Sequence, residues 1–236
     1  MTARTLIGTL AAALALAVAG CGSSAAPPPG LRISGPGLQA SQPRWYPEYQ
    51  HLAERLREAG LPPGGSEKVH HHALLHIYVE GLLAPLAPNI GLEPKRHLES
   101  PLHTHDGTGV IHMETAHPFK FTLGDFFMVW GVKLGPDEVG GLKGLGGDHL
   151  HFYVNGRPLG NPAAYVMQNN DSIVIGYGPV SSFPHTPSTL ALKAVEGKGG
   201  AALACSSTPS GKKAKSCFVT PTTPTRTSPE PTTNNK

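Results

Sequence analysis

The apolar period of the chain changes several times, and each change marks an element. Between Trp45 and Gly60, Tyr49, Leu52, Leu56 and Ala59 recur at i, i+3, i+7 and i+10. That spacing predicts one face of a helix, with Pro47 suited to a first turn and Gly60 at the stop. Glu54, Arg55, Arg57 and Glu58 are expected to face water. Leu61-Pro62-Pro63-Gly64-Gly65 then breaks the chain. From His70 to Gly81 the period becomes two. Leu75, Ile77 and Val79 fall on one face of a strand, and His70, His72, His76 and Tyr78 on the other. Residues 101–106 and 109–115 predict two further strands, joined by a turn that contains Asp106-Gly107. Phe121 to Gly131 predicts a helix with Thr122 as its N-cap. Asp125, three residues on, comes close to a capping box. Phe126, Phe127, Val129 and Trp130 are its core residues. His149 to Val154 predicts a strand running into an Asn155-Gly156 turn, and Ser172 to Tyr177 another, apolar and β-branched.

His76 to Gly81 matches His151 to Gly156 at four of six positions. The sequence between the copies does not repeat, so the match reads as two hairpin arms of a common kind rather than a duplication. The fold class that follows is α+β: a single domain dominated by short antiparallel strands with one or two helices. The last arm, Tyr165 to Ile175, resembles the end of a β-grasp sheet, an analogy at the level of fold.

Composition narrows the classes. With 29 Gly, 24 Pro and 15% charged residues, a coiled coil or a long helical bundle is excluded. The formal charge of +3 comes without a Lys/Arg stripe, so no nucleic-acid footprint is expected. The three cysteines have no CxxC spacing, which argues against a zinc ribbon or a thioredoxin-type pair. The glycine-rich stretch from Gly135 to Gly147 lacks a following Lys-Ser/Thr and a βαβ setting, so it is not read as a phosphate loop.

The two ends have their own character. Residues 1–20 read as an export signal, with Arg4 before an apolar run and small residues before Cys21. The junction resembles a bacterial lipobox, which implies cleavage before Cys21 and lipid on its sulfur. Residues 21–43 then form an expected flexible Pro/Gly/Ser-rich tether, residues 44–195 the His-rich domain, and residues 196–236 a disordered Ser/Thr/Pro/Lys-rich tail. In an exported protein the simplest use of Cys205 and Cys217 is a disulfide, with free thiols or a soft-metal site as alternatives. The expected location is extracytoplasmic, anchored to the bacterial cell membrane by the lipid on Cys21.

Histidine is the compositional anomaly: there are 13, and 11 of them lie between His70 and His151. In Leu102-His103-Thr104-His105-Asp106-Gly107-Thr108-Gly109-Val110-Ile111-His112-Met113-Glu114, His103 and His105 share a strand face. So do His112 and Glu114. If the turn runs from Asp106 to Gly109, His103 lies opposite His112, and His103, His105 and His112 converge. A two-residue turn at Asp106-Gly107 places His103 opposite Val110 instead. His149 with His151, and His70 with His72, form two further His-x-His pairs. Converging neutral imidazoles suit Cu or Zn. The candidate ligands are His70, His72, His103, His105, His112, His149 and His151. The competing reading is a polar outer sheet face whose histidines only hydrogen-bond, although Thr, Lys, Glu and Ser are the usual choices there. His51, His97, His117 and His185 have no such setting.

Residues from about Trp45 to Pro179 resemble a family of exported, largely uncharacterised bacterial proteins. The resemblance rests on three motifs: His70 to Gly81, Leu102 to Glu114 (Leu-His-Thr-His-Asp-x-x-Gly-x-Ile-His-x-Glu) and Phe121 to Gly131. Leu74 stands where the family pattern often has another histidine. The resemblance implies that His103, His105 and His112 act as a unit, and it carries no activity. Three functions are therefore weighed. The first is a lipid-anchored extracytoplasmic protein handling copper or zinc. The second is a His-ligated metalloenzyme with Glu114 or Asp106 as general base. The third is a cell-surface interaction module without metal. Neither a His-Glu-x-x-His helix nor a Gly-x-Ser-x-Gly elbow is present.

Overall fold

A computed structural model describes residues 30–144 and 149–196. The expected export signal, Cys21, Cys205, Cys217 and the tail beyond Glu196 lie outside the described residues. Among the described residues, no helix is long and apolar enough to cross a membrane.

The domain is α+β, with three α-helices and many short strands among the described residues. The helices are α1 (Leu52–Glu58), α2 (Leu123–Trp130) and α3 (Leu190–Glu196). The strands are β1 (Val69–Val79), β2 (Leu82–Ala84), β3 (Leu92–Glu93), β4 (Leu98–Glu99), β5 (Leu102–His103), β6 (Val110–Thr115), β7 (Leu134–Gly135), β8 (Glu138–Val139), β9 (Leu142–Lys143), β10 (Leu150–Val154), β11 (Arg157–Pro158) and β12 (Asp171–Tyr177). The main sheet runs in the order β11-β10-β12-β1-β6-β5, with β2 paired to the end of β1. β1 and β12 are parallel, and their neighbours antiparallel.

Alternation gives this sheet two unlike faces. One carries Ala73, Leu75, Ile77, Ile111, Met113, Ile173, Ile175 and Phe152 into the main core, against Leu123, Phe126, Phe127 and Trp130 of α2. The helix is set by its caps. Thr122 accepts from the Asp125 amide while the Asp125 carboxylate accepts from the Thr122 amide, a reciprocal box, and Gly131 closes the other end at φ 79°. The other face carries His70, His72, His76, His112 and His151. Leu74 and Val110 break it in the middle and are covered by Leu192 of α3. Beyond them Tyr78, Tyr153, Val174 and Phe183 form a small aromatic cluster.

The repeated motif corresponds to two turns of the same kind. Glu80-Gly81 has φ 48° and 81°, and Asn155-Gly156 has φ 52° and 78°. Both central residues of a tight hairpin turn need positive φ, which is why Asn-Gly suits the position.

Three expectations about the N-terminal part change. The helix begins at Leu52 rather than near Pro47, and Arg55 does not face water: it is fully buried. Its guanidinium donates to the carbonyls of Met128, Pro36 and Glu48 and pairs with the Glu48 carboxylate. Residues 30–43, read as a tether, are laid along the domain. The Ile33 amide donates to Leu134, Gln39 bridges to Val132, and Ile33 packs on the core. That strip of chain covers the flank of α1 that periodicity assigns to solvent.

Candidate metal centre

The site is built by register. His103 on β5 lies directly opposite His112 on β6, as a turn from Asp106 to Gly109 requires. On its other side β6 pairs with β1, which sets His72 opposite His112 and His70 opposite Glu114. Three adjacent strands thus bring pairs of residues spaced i, i+2 to one face. His105 follows β5 into the turn, where the Asp106 carboxylate accepts from the amide and hydroxyl of Thr108. Gly109 closes the turn at φ 92°, and its carbonyl accepts from the Leu75 amide. A Cβ on Gly109 would sit 2.3 Å from the Leu75 carbonyl oxygen.

His112 is the hub. Its ring centroid is 4.5 Å from that of His105, 4.6 Å from His72, 5.2 Å from His103 and 5.5 Å from His70. Glu114 adds a carboxylate to the same space. Its Oε1 is 2.9 Å from His70 Nε2, 3.3 Å from His112 Nδ1 and 3.7 Å from His103 Nε2. His70 Nε2 and His112 Nδ1 are 3.2 Å apart. Ligand atoms around a tetrahedral ion with bonds of about 2.0–2.1 Å are about 3.3–3.4 Å apart, so these gaps have the right scale.

Among the described residues two groups could hold a metal ion: His103, His105, His112 and Glu114, and His70, His72 and His112, each with its ligand atoms within 4.8 Å of one another. His72, His103, His112 and Glu114 are buried, His70 is half-buried and His105 is exposed. The cluster therefore has a buried floor and two histidines at its rim.

The protonation chemistry favours ligation. Burial, reinforced by the neighbouring His112 and His70, pushes the His72 imidazole down to about 4. Burial likewise takes His103 down to about 4, against an upward pull from Glu114. His105 is also lowered, by burial first and then by His112. Burial pushes Glu114 up, but the hydrogen bond from His112 and the nearby imidazoles outweigh it and hold it below its ordinary value. At neutral pH the His72 and His103 rings are thus uncharged and keep a nitrogen lone pair, the form that binds metal. With the Ser100 carbonyl 3.1 Å away, His103 Nδ1 is assigned as the N–H donor, and its Nε2 faces Glu114. His72 Nε2 is buried and has no hydrogen-bond partner.

Of the residues singled out in the sequence, five histidines come together here. His149 and His151 fall outside both groups. His151 is on the same sheet face, but it lies level with Gly176 and hence with Tyr78 of β1. Tyr78 is six residues along β1 from His72, a rise of about 20 Å. The residue that the ligand set omits is Glu114. The signal for it was in the chain, because His112-x-Glu114 repeats the i, i+2 spacing used to pair the histidines. Asp106 is outside both groups.

Comparison with known proteins finds no matching family model, no matching curated protein and no matching solved structure. The β-grasp analogy gains no support from this.

Proposed function

We propose that this protein is a lipid-anchored, extracytoplasmic metal-binding protein that takes copper or zinc through its His/Glu cluster. The observation that carries the reading is the convergence of His103, His105, His112 and Glu114 on one small space, on a largely buried sheet face. Burying so many imidazoles without compensation is costly, and a bound ion turns their lone pairs into bonds. The donor set of imidazole and carboxylate, without thiolate, suits borderline divalent ions. The export signal and Cys21 supply the proposed location, and the resemblance to exported bacterial proteins supports it.

Binding is favoured over catalysis by two placements. Glu114, the better candidate for a general base, sits inside the ligand set rather than beside it. Asp106 is engaged in its own turn. An apolar cavity of about 280 Å³ lined by Val69, His71, Met113, Phe119, Phe121 and Met167 opens on the opposite face of β1 and β6, away from the cluster.

The test is titration of purified protein with Zn²⁺ and Cu²⁺, before and after His103→Ala and His112→Ala. The wild-type protein is expected to bind tightly. Each variant is expected to lose more than the about 10–100-fold that removing an outer-shell partner costs. Equal, weak uptake by all three proteins would overturn the reading.

A further inference from the structure

We propose, resting on the metal-binding reading above, that the cluster takes two ions: one held by His103, His105 and Glu114, the other by His70, His72 and His112. Three observations carry this. The first is donor supply. Five imidazoles and a carboxylate meet on adjacent strands, whereas a tetrahedral ion takes four ligands. The second is grouping. The donors fall into two sets with only His112 in common, and the set from β1 does not include His103 or His105. The third is the buried, unpartnered Nε2 of His72. An ion held only by the hairpin group leaves that nitrogen without a role, and buried polar atoms normally have one. An ion in the β1 group satisfies it.

The seam between the two sets is also built for this. Glu114 Oε1 lies 2.9 Å from His70 Nε2 and 3.7 Å from His103 Nε2, so the carboxylate borders both sets. His112 lies between β5 and β1 in the sheet and is within reach of either ion. Each ion has three of the four ligands that a tetrahedral ion takes. One set has its exposed member in His105 and the other its half-buried member in His70, so both ions have a ligand at the rim.

Equilibrium dialysis of the protein against excess Zn²⁺, followed by elemental analysis, tests the count. Two zinc ions per chain are expected for the wild-type protein, and one for each of His72→Ala and His105→Ala. His105 is exposed, so its variant keeps the test valid if the buried His72→Ala fails to fold. One zinc ion in the wild-type protein, unchanged in His105→Ala, would overturn the two-ion proposal and leave metal binding standing. Two ions in the wild type and in both variants would overturn the ligand assignment. No zinc in the wild-type protein would overturn the metal-binding reading as well.

Discussion

The rings of His103 and His112 lie parallel to within 6°, their centroids 5.2 Å apart, across one rung of the β5/β6 ladder. That single rung determines the site. A shift of one residue in β5 would turn His103 toward the α2 side and take Leu102 out of the core. Leu102 is fully buried there, so the apolar pattern holds the register and the register holds the histidines.

Gly109 is the sharpest test of that dependence. Its positive φ and its approach to the Leu75 carbonyl leave no room for a side chain. Gly109→Ala is expected to cost about 1–3 kcal/mol in stability, from backbone strain alone. It is also expected to weaken zinc binding, because the turn that carries His105 must move. Urea denaturation and zinc titration of the same preparation check both.

The metal-free protein should lose stability on mild acidification. His72 and His103 are held down to about 4 in the folded chain, against an unperturbed value near 6.5. Between those values the unfolded chain binds protons that the folded chain does not, so unfolding free energy rises with pH and falls as the solution is acidified from about 6.5 to about 4. Glu114, held below its ordinary value, adds a loss in the same direction at the acid end. Urea midpoints measured between pH 7 and pH 4 should fall, and should fall less steeply in His103→Ala. Superimposable pH profiles for the two proteins would contradict this account of His103.

Arg55 should behave as a structural residue with no direct part in metal binding. It is fully buried, pairs with Glu48 and donates to the Met128 carbonyl near the end of α2. Arg55→Ala leaves that carbonyl without its partner and Glu48 with His51 alone, and about 3–5 kcal/mol is expected to be lost. Arg55→Lys should recover only part of it, because an ammonium cannot reproduce the planar fork. At temperatures where the variant stays folded, its zinc affinity should equal that of the wild-type protein.

Leu74 separates the metal cluster from the aromatic cluster on the same face. It is fully buried beneath Leu192, beside Val110. Leu74→Ala is expected to cost about 2–5 kcal/mol. Thermal melts with and without zinc check this, and zinc should raise the melting temperature of both proteins, because a ligand that binds only the folded state stabilises it.

These residues also show what was legible in the sequence. Strands β1, β6, β10 and β12 and α2 with its capping box follow from alternation and cap chemistry, and the convergence of His103 with His112 is one of the two registers that the turn allows, all local signals. The short strands β7, β8 and β9, in the stretch read as a glycine-rich loop, do not follow from such signals. The pairing of β1 with β6 does not, because it joins residues about forty positions apart and nothing local encodes it. His70 and His72 could therefore be named as candidates but not placed beside His112. The same limit applies to His149 and His151. Their pairing was visible, but their level along the sheet depends on how β10 meets β12 and β12 meets β1. Arg55 was assigned to solvent because helical periodicity sees only the helix, and the chain that covers it comes from residues 30–43.

The most direct test of the central claim is a histidine-ring ¹H–¹⁵N correlation spectrum recorded before and after addition of Zn²⁺. It reports on each imidazole separately and identifies the nitrogen that binds. The expected result is a large change at His70, His72, His103, His105 and His112, with His149, His151 and His185 unmoved. Unchanged rings at His103 and His112, or changes confined to His149 and His151, would contradict the assignment of this cluster as the metal centre.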